Sequence, residues 1–269
     1  MSAERRRRSG DSVNAAWIGA ELLANGVAVR DGFLPPGRVR ALIRCAKLRR
    51  ARGDFGEARI GVDRLLQRRE RLRGDRTCWI APLPQTPLFP AESALLADLE
   101  RLRLDLNRLG LLGLFDLELH HAWYPPGSGY ARHVDQLHGR DQRVVSVVLY
   151  LNDDWRPQDG GELRLFDATA TNVAMTVVTA TDATGADGTA TDAEAADDST
   201  TVATATDGTA ATDGTAANGA AARDIAPIGG RLVCFLTAGR EHAVLRCRRD
   251  RASISGWFRR RSAGCVALT

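Results

Sequence analysis

The sequence predicts an α+β chain with a mainly β core, in which two antiparallel sheets pack as a jelly roll with helices outside. Three observations carry this expectation. Four apolar runs read as strands: 115–124 by strict period-two alternation, and 144–151, 232–236 and 252–258 as short continuous stretches. The stretches before residue 115 instead place several apolar sets at helical spacing. Between Asp167 and Arg223 the composition collapses into Ala, Thr, Asp and Gly, which can bury almost nothing against the entropy of ordering it.

Residues 1–11, with the Arg5 to Arg8 run, are expected to form a disordered basic tail. Polar Ser9-Gly10-Asp11-Ser12 stands where the apolar stretch of a signal peptide would begin. Residues 12–114 are expected to support the core. Ala15 to Leu23 reads as an amphipathic helix ended by Asn25-Gly26, and Val27 to Val29 as a strand. Pro35-Pro36 opens a second helix with Val39, Leu42, Ile43 and Ala46 on one stripe. Pro90 opens a third, where Leu95, Leu99, Leu102, Leu106 and Leu109 recur until Gly110 or Gly113 ends it. The Arg- and Glu-rich stretch 53–73 has apolar residues spaced ambiguously between strand and helix.

The core is expected over 115–260, interrupted by a disordered acidic insertion at 168–222, with 261–269 as a tail. The insertion holds eight acidic residues and no Lys or Arg, so removing its −8 from the formal +4 leaves +12 on the rest. That excess favours acidic partners and only weak, nonspecific attraction to nucleic acid. The repeats at Thr179 and Thr189, and at Thr206 and Thr212, do not space their carboxylates regularly enough for a calcium-binding array. Five scattered cysteines without a C-x-x-C pair argue for a reducing compartment, hence a cytoplasmic protein. No apolar run approaches the ~20 residues that span a bilayer, so no membrane partner is expected. Oligomeric state leaves no signal in this sequence.

The chemistry gathers in two stretches. In Arg132-His133-Val134-Asp135 an imidazole and a carboxylate stand two residues apart, which in a strand puts both on one face. His242 can supply a third ligand, and two histidines with one carboxylate can occupy one face of an octahedral metal, the ligand set of non-haem Fe(II) oxygenases. Arg251, nine residues after His242, can hold the far carboxylate of a dicarboxylic cosubstrate, with Arg246 and Arg249 as less well placed alternatives. Arg251, Ser253, Ser255 and Trp257 share one strand face, so Trp257 should border the same pocket. His120 and His121 fall on opposite faces of the 115–124 strand and read as structural.

The run from Tyr124 through Tyr130-Ala-Arg-His133-Val-Asp135, Arg143, Tyr150-Leu-Asn-Asp-Asp-Trp155 and Gly160-Gly161-Glu-Leu-Arg-Leu-Phe166 resembles the prolyl 4-hydroxylase branch of the 2-oxoglutarate/Fe(II) dioxygenases, near the hypoxia-sensing enzymes and their bacterial relatives. Gly230 to Phe235, His242, Arg251 and Ser255-Gly-Trp-Phe258 continue the match in order, and Arg73-Gly-Asp75 with Trp79 resembles the family's approach to its core. The resemblance covers about residues 20 to 167 and 225 to 260 and implies a double-stranded β-helix. It implies Fe(II) on His133, Asp135 and His242, and 2-oxoglutarate held by Arg251, Tyr150 and Tyr124, although the loop after Tyr124 is one residue shorter here. It further implies a peptide or protein substrate near Arg143 and Trp257, hydroxylated at C4 of proline with release of succinate and CO2, with O2 as oxidant and ascorbate as a candidate reductant. The 53–73 stretch would then be a mobile loop closing over substrate, with Arg68, Arg69 and Arg71 near it. Asp135 weighs against the halogenating variants, which give up the carboxylate. Two other readings stay open: the same chemistry on a free amino acid, small metabolite or nucleobase, and a noncatalytic iron or 2-oxoglutarate sensor or basic binding module.

Overall fold

The computed structural model describes residues 16–58, 72–81, 87–110, 112–136, 142–167 and 221–261. Three helices precede most of the strands: α1 (16–25), α2 (Pro36–Ala51) and α3 (Pro90–Gly110). Pro36 sits in the first turn of α2, where its missing N–H costs nothing. Gly26 takes the left-handed conformation that ends α1, with φ 67°.

The strands are β1 (Val27–Arg30), β2 (Gly56–Glu57), β3 (Arg76–Ala81), β4 (Leu114–Tyr124), β5 (Tyr130–His133), β6 (Arg143–Tyr150), β7 (Leu163–Phe166), β8 (Ala222–Ile225), β9 (Leu232–Leu236), β10 (His242–Val244) and β11 (Arg251–Arg260). They form a seven-stranded sheet in the order β1-β9-β6-β11-β4-β3-β2 and a four-stranded sheet in the order β5-β10-β7-β8. All the paired strands are antiparallel. This is the two-sheet jelly roll expected from the sequence.

Period two decides what each central strand shows to which side. Leu117 and Leu119 of β4, Val145, Val147 and Leu149 of β6, and Ala252, Ile254 and Phe258 of β11 join the core that packs with Val39 and Leu42 of α2 and Leu95, Leu99 and Leu102 of α3. The alternate residues Tyr150, Val233 and Phe235 pack with Leu163, Leu165 and Ile225 of the small sheet. Gly256 lets β11 pass close to β4, because a Cβ there would overlap the Glu118 carbonyl oxygen.

A buried polar knot lies in the helical layer. The Arg49 guanidinium of α2 donates to Glu92 of α3 from Nε at 2.8 Å and Nη2 at 2.6 Å, and His121 Nε2 of β4 lies 2.7 Å from the same carboxylate. Burial would raise the Glu92 pKa, but Arg49, His121 and the Phe89 N–H together hold it down at about 2. His121 is therefore the structural histidine expected of it.

Some expectations shift by a residue or two. The insertion, expected through residue 222, gives way to β8 at Ala222, whose backbone pairs with Phe166. Asp135 lies beyond the end of β5 rather than within a strand, so strand periodicity is not what aims it at His133. The basic tail 1–11, the insertion through residue 220, Arg68, Arg69 and Arg71, and the tail after Arg261 lie outside the described residues. No helix among the described residues is long and apolar enough to cross a membrane. Cys45, Cys78, Cys234 and Cys247 are buried and free.

Candidate metal centre and cosubstrate pocket

The pairing of β10 with β5 sets His242 directly opposite His133. Their rings lie 4.2 Å apart between centroids. His133 Nδ1 is 2.8 Å from the Ala131 carbonyl oxygen and His242 Nδ1 3.2 Å from that of Arg240. A carbonyl only accepts, so each ring carries its proton on Nδ1 and leaves the Nε2 lone pair free to ligate. Those Nε2 atoms face the Asp135 carboxylate, at 3.6 Å from Oδ1 for His133 and 3.5 Å from Oδ2 for His242. One ligand atom from each residue falls within 4.8 Å of the others, a set that can hold a metal ion.

Asp135 is aimed by β6. The Ser146 hydroxyl donates to Asp135 Oδ2 at 2.7 Å, and Arg143 Nη1 donates to the Asp135 backbone carbonyl at 3.3 Å. Burial would raise the carboxyl pKa, but His242, His133 and the Ser146 hydroxyl outweigh it and hold the group well below the usual carboxylate range. Burial also depresses His242, with Asp135 opposing. The histidines are braced from behind. Tyr130 stacks on His133 with centroids 3.5 Å apart, and Phe235 meets His242 edge-on at 4.9 Å. Arg73 lies over Tyr130 at 4.7 Å and is tied to buried Asp75 by two hydrogen bonds of 2.7 and 3.1 Å.

These residues open onto a cavity of about 680 Å³, which Tyr124, Arg143, Arg251 and Trp257 also line. Arg251 is only 4% exposed, and among the described residues no carboxylate pairs with it. Its Nε donates to the Gly161 carbonyl at 2.9 Å and its Nη1 to the Ser253 hydroxyl at 3.2 Å, which fixes the plane of the guanidinium. Gly161 can present that carbonyl because it has no Cβ: one would stand 2.9 Å from Cys247 Sγ and 3.1 Å from Arg251 Cδ, at a φ of 79°. The Tyr124 and Tyr150 rings flank Arg251 at 4.9 and 5.1 Å. Burial pushes both phenols up, so each hydroxyl keeps its proton and can donate. The Tyr150 hydroxyl is buried without a hydrogen-bond partner among the described residues. A buried cation lacking a carboxylate, next to an orphaned hydroxyl, suits an anionic ligand.

The expected residues thus line one cavity, except Tyr150, which packs beside Arg251 without lining it. Arg143 is not a free cation: Nε and Nη2 donate to Glu118 Oε2 at 3.1 and 3.0 Å, and its guanidinium lies 3.5 Å over the Trp257 ring. Sequence reasoning gave no role to Ser146, Tyr130 or the Gly161 carbonyl, and it placed Ser253 on the pocket face beside Arg251 without naming the hydrogen bond between them. Ser146 did leave a trace, as the polar residue inside the apolar run from Val144 to Leu151.

A family model described as the 2OG-Fe(II) oxygenase superfamily matches residues 119–259, from within β4 to near the end of β11. The chain belongs to this superfamily. Members use Fe(II), 2-oxoglutarate and O2, and both halves of the site have the chemistry for the first two. Human Egl nine homolog 1 is 30% identical over 148 residues, covering 53% of this chain and 33% of that protein, so the chain spans about a third of its length. A prolyl-4-hydroxylase from Pseudomonas putida is 33% identical with a TM-score of 0.65, over 92% of this oxygenase and 100% of that chain. A prolyl hydroxylase from Trichoplax adhaerens, solved with a hypoxia inducible factor peptide fragment, shares the fold with a TM-score of 0.69 at 21% identity, over 94% and 92% of the two chains.

Proposed function

We propose that the chain is an Fe(II)- and 2-oxoglutarate-dependent dioxygenase that hydroxylates prolyl residues, at C4, in a peptide or protein. The observation that carries the chemistry is one cavity holding both three ligand atoms within 4.8 Å and a buried arginine without a carboxylate partner. Likeness to the Pseudomonas putida enzyme supports proline as the target.

His133 and His242 through Nε2, and Asp135 through its carboxylate, would hold Fe(II). Arg251 binds the distal carboxylate of 2-oxoglutarate as a bidentate cation, and the neutral Tyr124 and Tyr150 hydroxyls donate beside it. Bound there, Fe(II), 2-oxoglutarate and O2 would supply the oxidation, in which one oxygen atom of O2 enters a C–H bond and the other enters succinate as CO2 is released. The protein orients and dries the site; Val148, Leu163, Phe235 and Val244 wall the cavity with apolar surface. Trp257 and the Glu118-held Arg143 border the substrate's approach. The free, buried thiols fit a reducing cytoplasm, and ascorbate fits the role of reductant for oxidised iron.

The test is anaerobic loading with Fe(II) and 2-oxoglutarate followed by O2, with succinate read with and without proline-containing peptides. Peptide-stimulated succinate and one added oxygen at proline are the expected result. Succinate indifferent to every peptide would keep the oxygenase and remove the prolyl target, whereas no succinate at all would remove the enzyme.

A further inference from the structure

The Arg251 guanidinium is aimed by a carbonyl of the loop between β6 and β7, and one side chain of that loop, Trp155, has had no role so far. The base of the loop is fixed beside Arg251: Asn152 Oδ1 accepts the Ala252 N–H at 2.8 Å, and the Leu151 N–H donates to the Ala252 carbonyl at 3.1 Å. After a short turn at Pro157–Asp159, successive main-chain carbonyls each take a donor. Asp159 accepts from the Arg248 N–H at 2.7 Å, Gly160 from Trp155 Nε1 at 2.8 Å, and Gly161 from Arg251 Nε at 2.9 Å. Gly160 and Gly161 both stand at positive φ, 64° and 79°. A Cβ on Gly160 would overlap the Arg246 carbonyl oxygen, so the turn needs glycine there as well as at Gly161. Two glycines in a row are also where a chain rotates most freely, so something must keep the second carbonyl on Arg251.

Trp155 is placed to do so. The Gly160 carbonyl lies in the planar peptide that joins the two glycines. An indole N–H bound to it fixes that plane, which leaves only the φ and ψ of Gly161 between the plane and the carbonyl that meets Arg251. The indole donates only, and Trp155 is half-buried, so the bond is directional and partly shielded from water. The other ties on this loop are less suited. Arg249 reaches Asp154 at 3.1 Å and Asp159 at 3.3 Å, but Arg249 and Asp154 are 49% and 72% exposed, where ion pairs contribute little. The Arg248 N–H holds the Asp159 carbonyl, one peptide before the plane that aims Gly161. Ser253 acts on the guanidinium itself, through Nη1, and leaves the Nε side to the Gly161 carbonyl.

We infer that Trp155 is a positioning residue for Arg251, holding the Gly160–Gly161 peptide so that the guanidinium is set for the distal carboxylate of 2-oxoglutarate. This rests on the cosubstrate reading above. The test titrates the full chain, loaded with Mn(II) and kept without O2, with 2-oxoglutarate and separately with oxalate. Oxalate can chelate the metal but has no further carboxylate for Arg251. Trp155→Phe keeps an aromatic ring and removes the N–H. It should raise the Kd for 2-oxoglutarate about fivefold, equivalent to about 1 kcal/mol, and leave the Kd for oxalate unchanged. In an Arg251→Ala background the same substitution should change neither Kd, because the group it acts through is gone. An unchanged Kd for 2-oxoglutarate in Trp155→Phe overturns the inference and leaves the cosubstrate reading standing. A rise shared equally by oxalate, or loss of oxalate binding, assigns Trp155 to the scaffold and overturns it too. So does a fivefold loss that persists in the Arg251→Ala background, since the effect then runs by another route. If Arg251→Ala alone leaves 2-oxoglutarate affinity as in wild type, the cosubstrate reading fails and the inference falls with it.

Discussion

Ser253 and Ser146 each orient a charged partner with a single hydroxyl, and each makes a separable prediction. Ser253→Ala removes the acceptor at 3.2 Å from Arg251 Nη1, leaving only the Gly161 carbonyl to fix the guanidinium. One such hydrogen bond is worth about 1 kcal/mol, so the Kd for 2-oxoglutarate should rise about fivefold with iron affinity unchanged, read by titration without O2. Ser146→Ala frees Asp135 Oδ2 and should weaken Fe(II) binding roughly 10- to 100-fold, read by competition with a chelator. The grouping of His133, Asp135, His242 and Arg251 was legible in the sequence because their order and flanking blocks are specific. Ser253 was half legible, since period two puts it on the face of Arg251, its partner two residues earlier in the same strand; Ser146 was not, since it acts through how the backbone sets β6 against the loop after β5. Spacing along one strand says which face a side chain takes and nothing about what stands opposite.

Among the elements, α2, α3 and β4 are held together by Arg49, Glu92 and His121, all almost wholly buried. Glu92→Gln breaks a buried ion pair and should cost about 3–5 kcal/mol, measured by denaturant titration. The same carboxylate sets an acid dependence. The unfolded chain protonates it near 4.5 and the folded chain only near 2, so its contribution is complete above 4.5 and is lost as pH falls towards 2. Denaturation midpoints across that window should fall for wild type and change less for Glu92→Gln. Where β11 crosses β4, Gly256→Ala would drive a methyl into the Glu118 carbonyl and should cost about 3 kcal/mol, seen as a lower Tm. Helices α2 and α3 were legible from periodicity and terminal prolines and glycines, β4 from its alternation, and β6, β9 and β11 from their continuous apolar runs. The buried knot was not, because Arg49 and Glu92 look like ordinary surface charges until helix packing brings them together.

For the whole molecule, the jelly roll was readable because β4 alternates and β6, β9 and β11 are short continuous apolar runs, whereas the short strands β2, β5 and β10 give too few residues for a pattern. The small sheet closes on itself where the chain leaves it: the Asp167 N–H donates to the Ala221 carbonyl at 2.9 Å, and Phe166 pairs with Ala222. Replacing residues 168–220 by Asn-Gly, a two-residue hairpin turn, should leave the thermal midpoint within a few degrees of wild type. A collapse of the transition would mean that the segment stabilises the fold. The account as a whole stands on one cavity binding iron through three side chains and a dicarboxylate through a fourth. The most direct measurement is therefore the stoichiometry of Fe(II) and 2-oxoglutarate bound without O2 to wild type, His133→Ala and Arg251→Ala. The account predicts one of each in wild type, iron lost from His133→Ala, and iron kept but 2-oxoglutarate affinity greatly weakened in Arg251→Ala. Iron retained by His133→Ala, or 2-oxoglutarate bound as tightly by Arg251→Ala as by wild type, would contradict it.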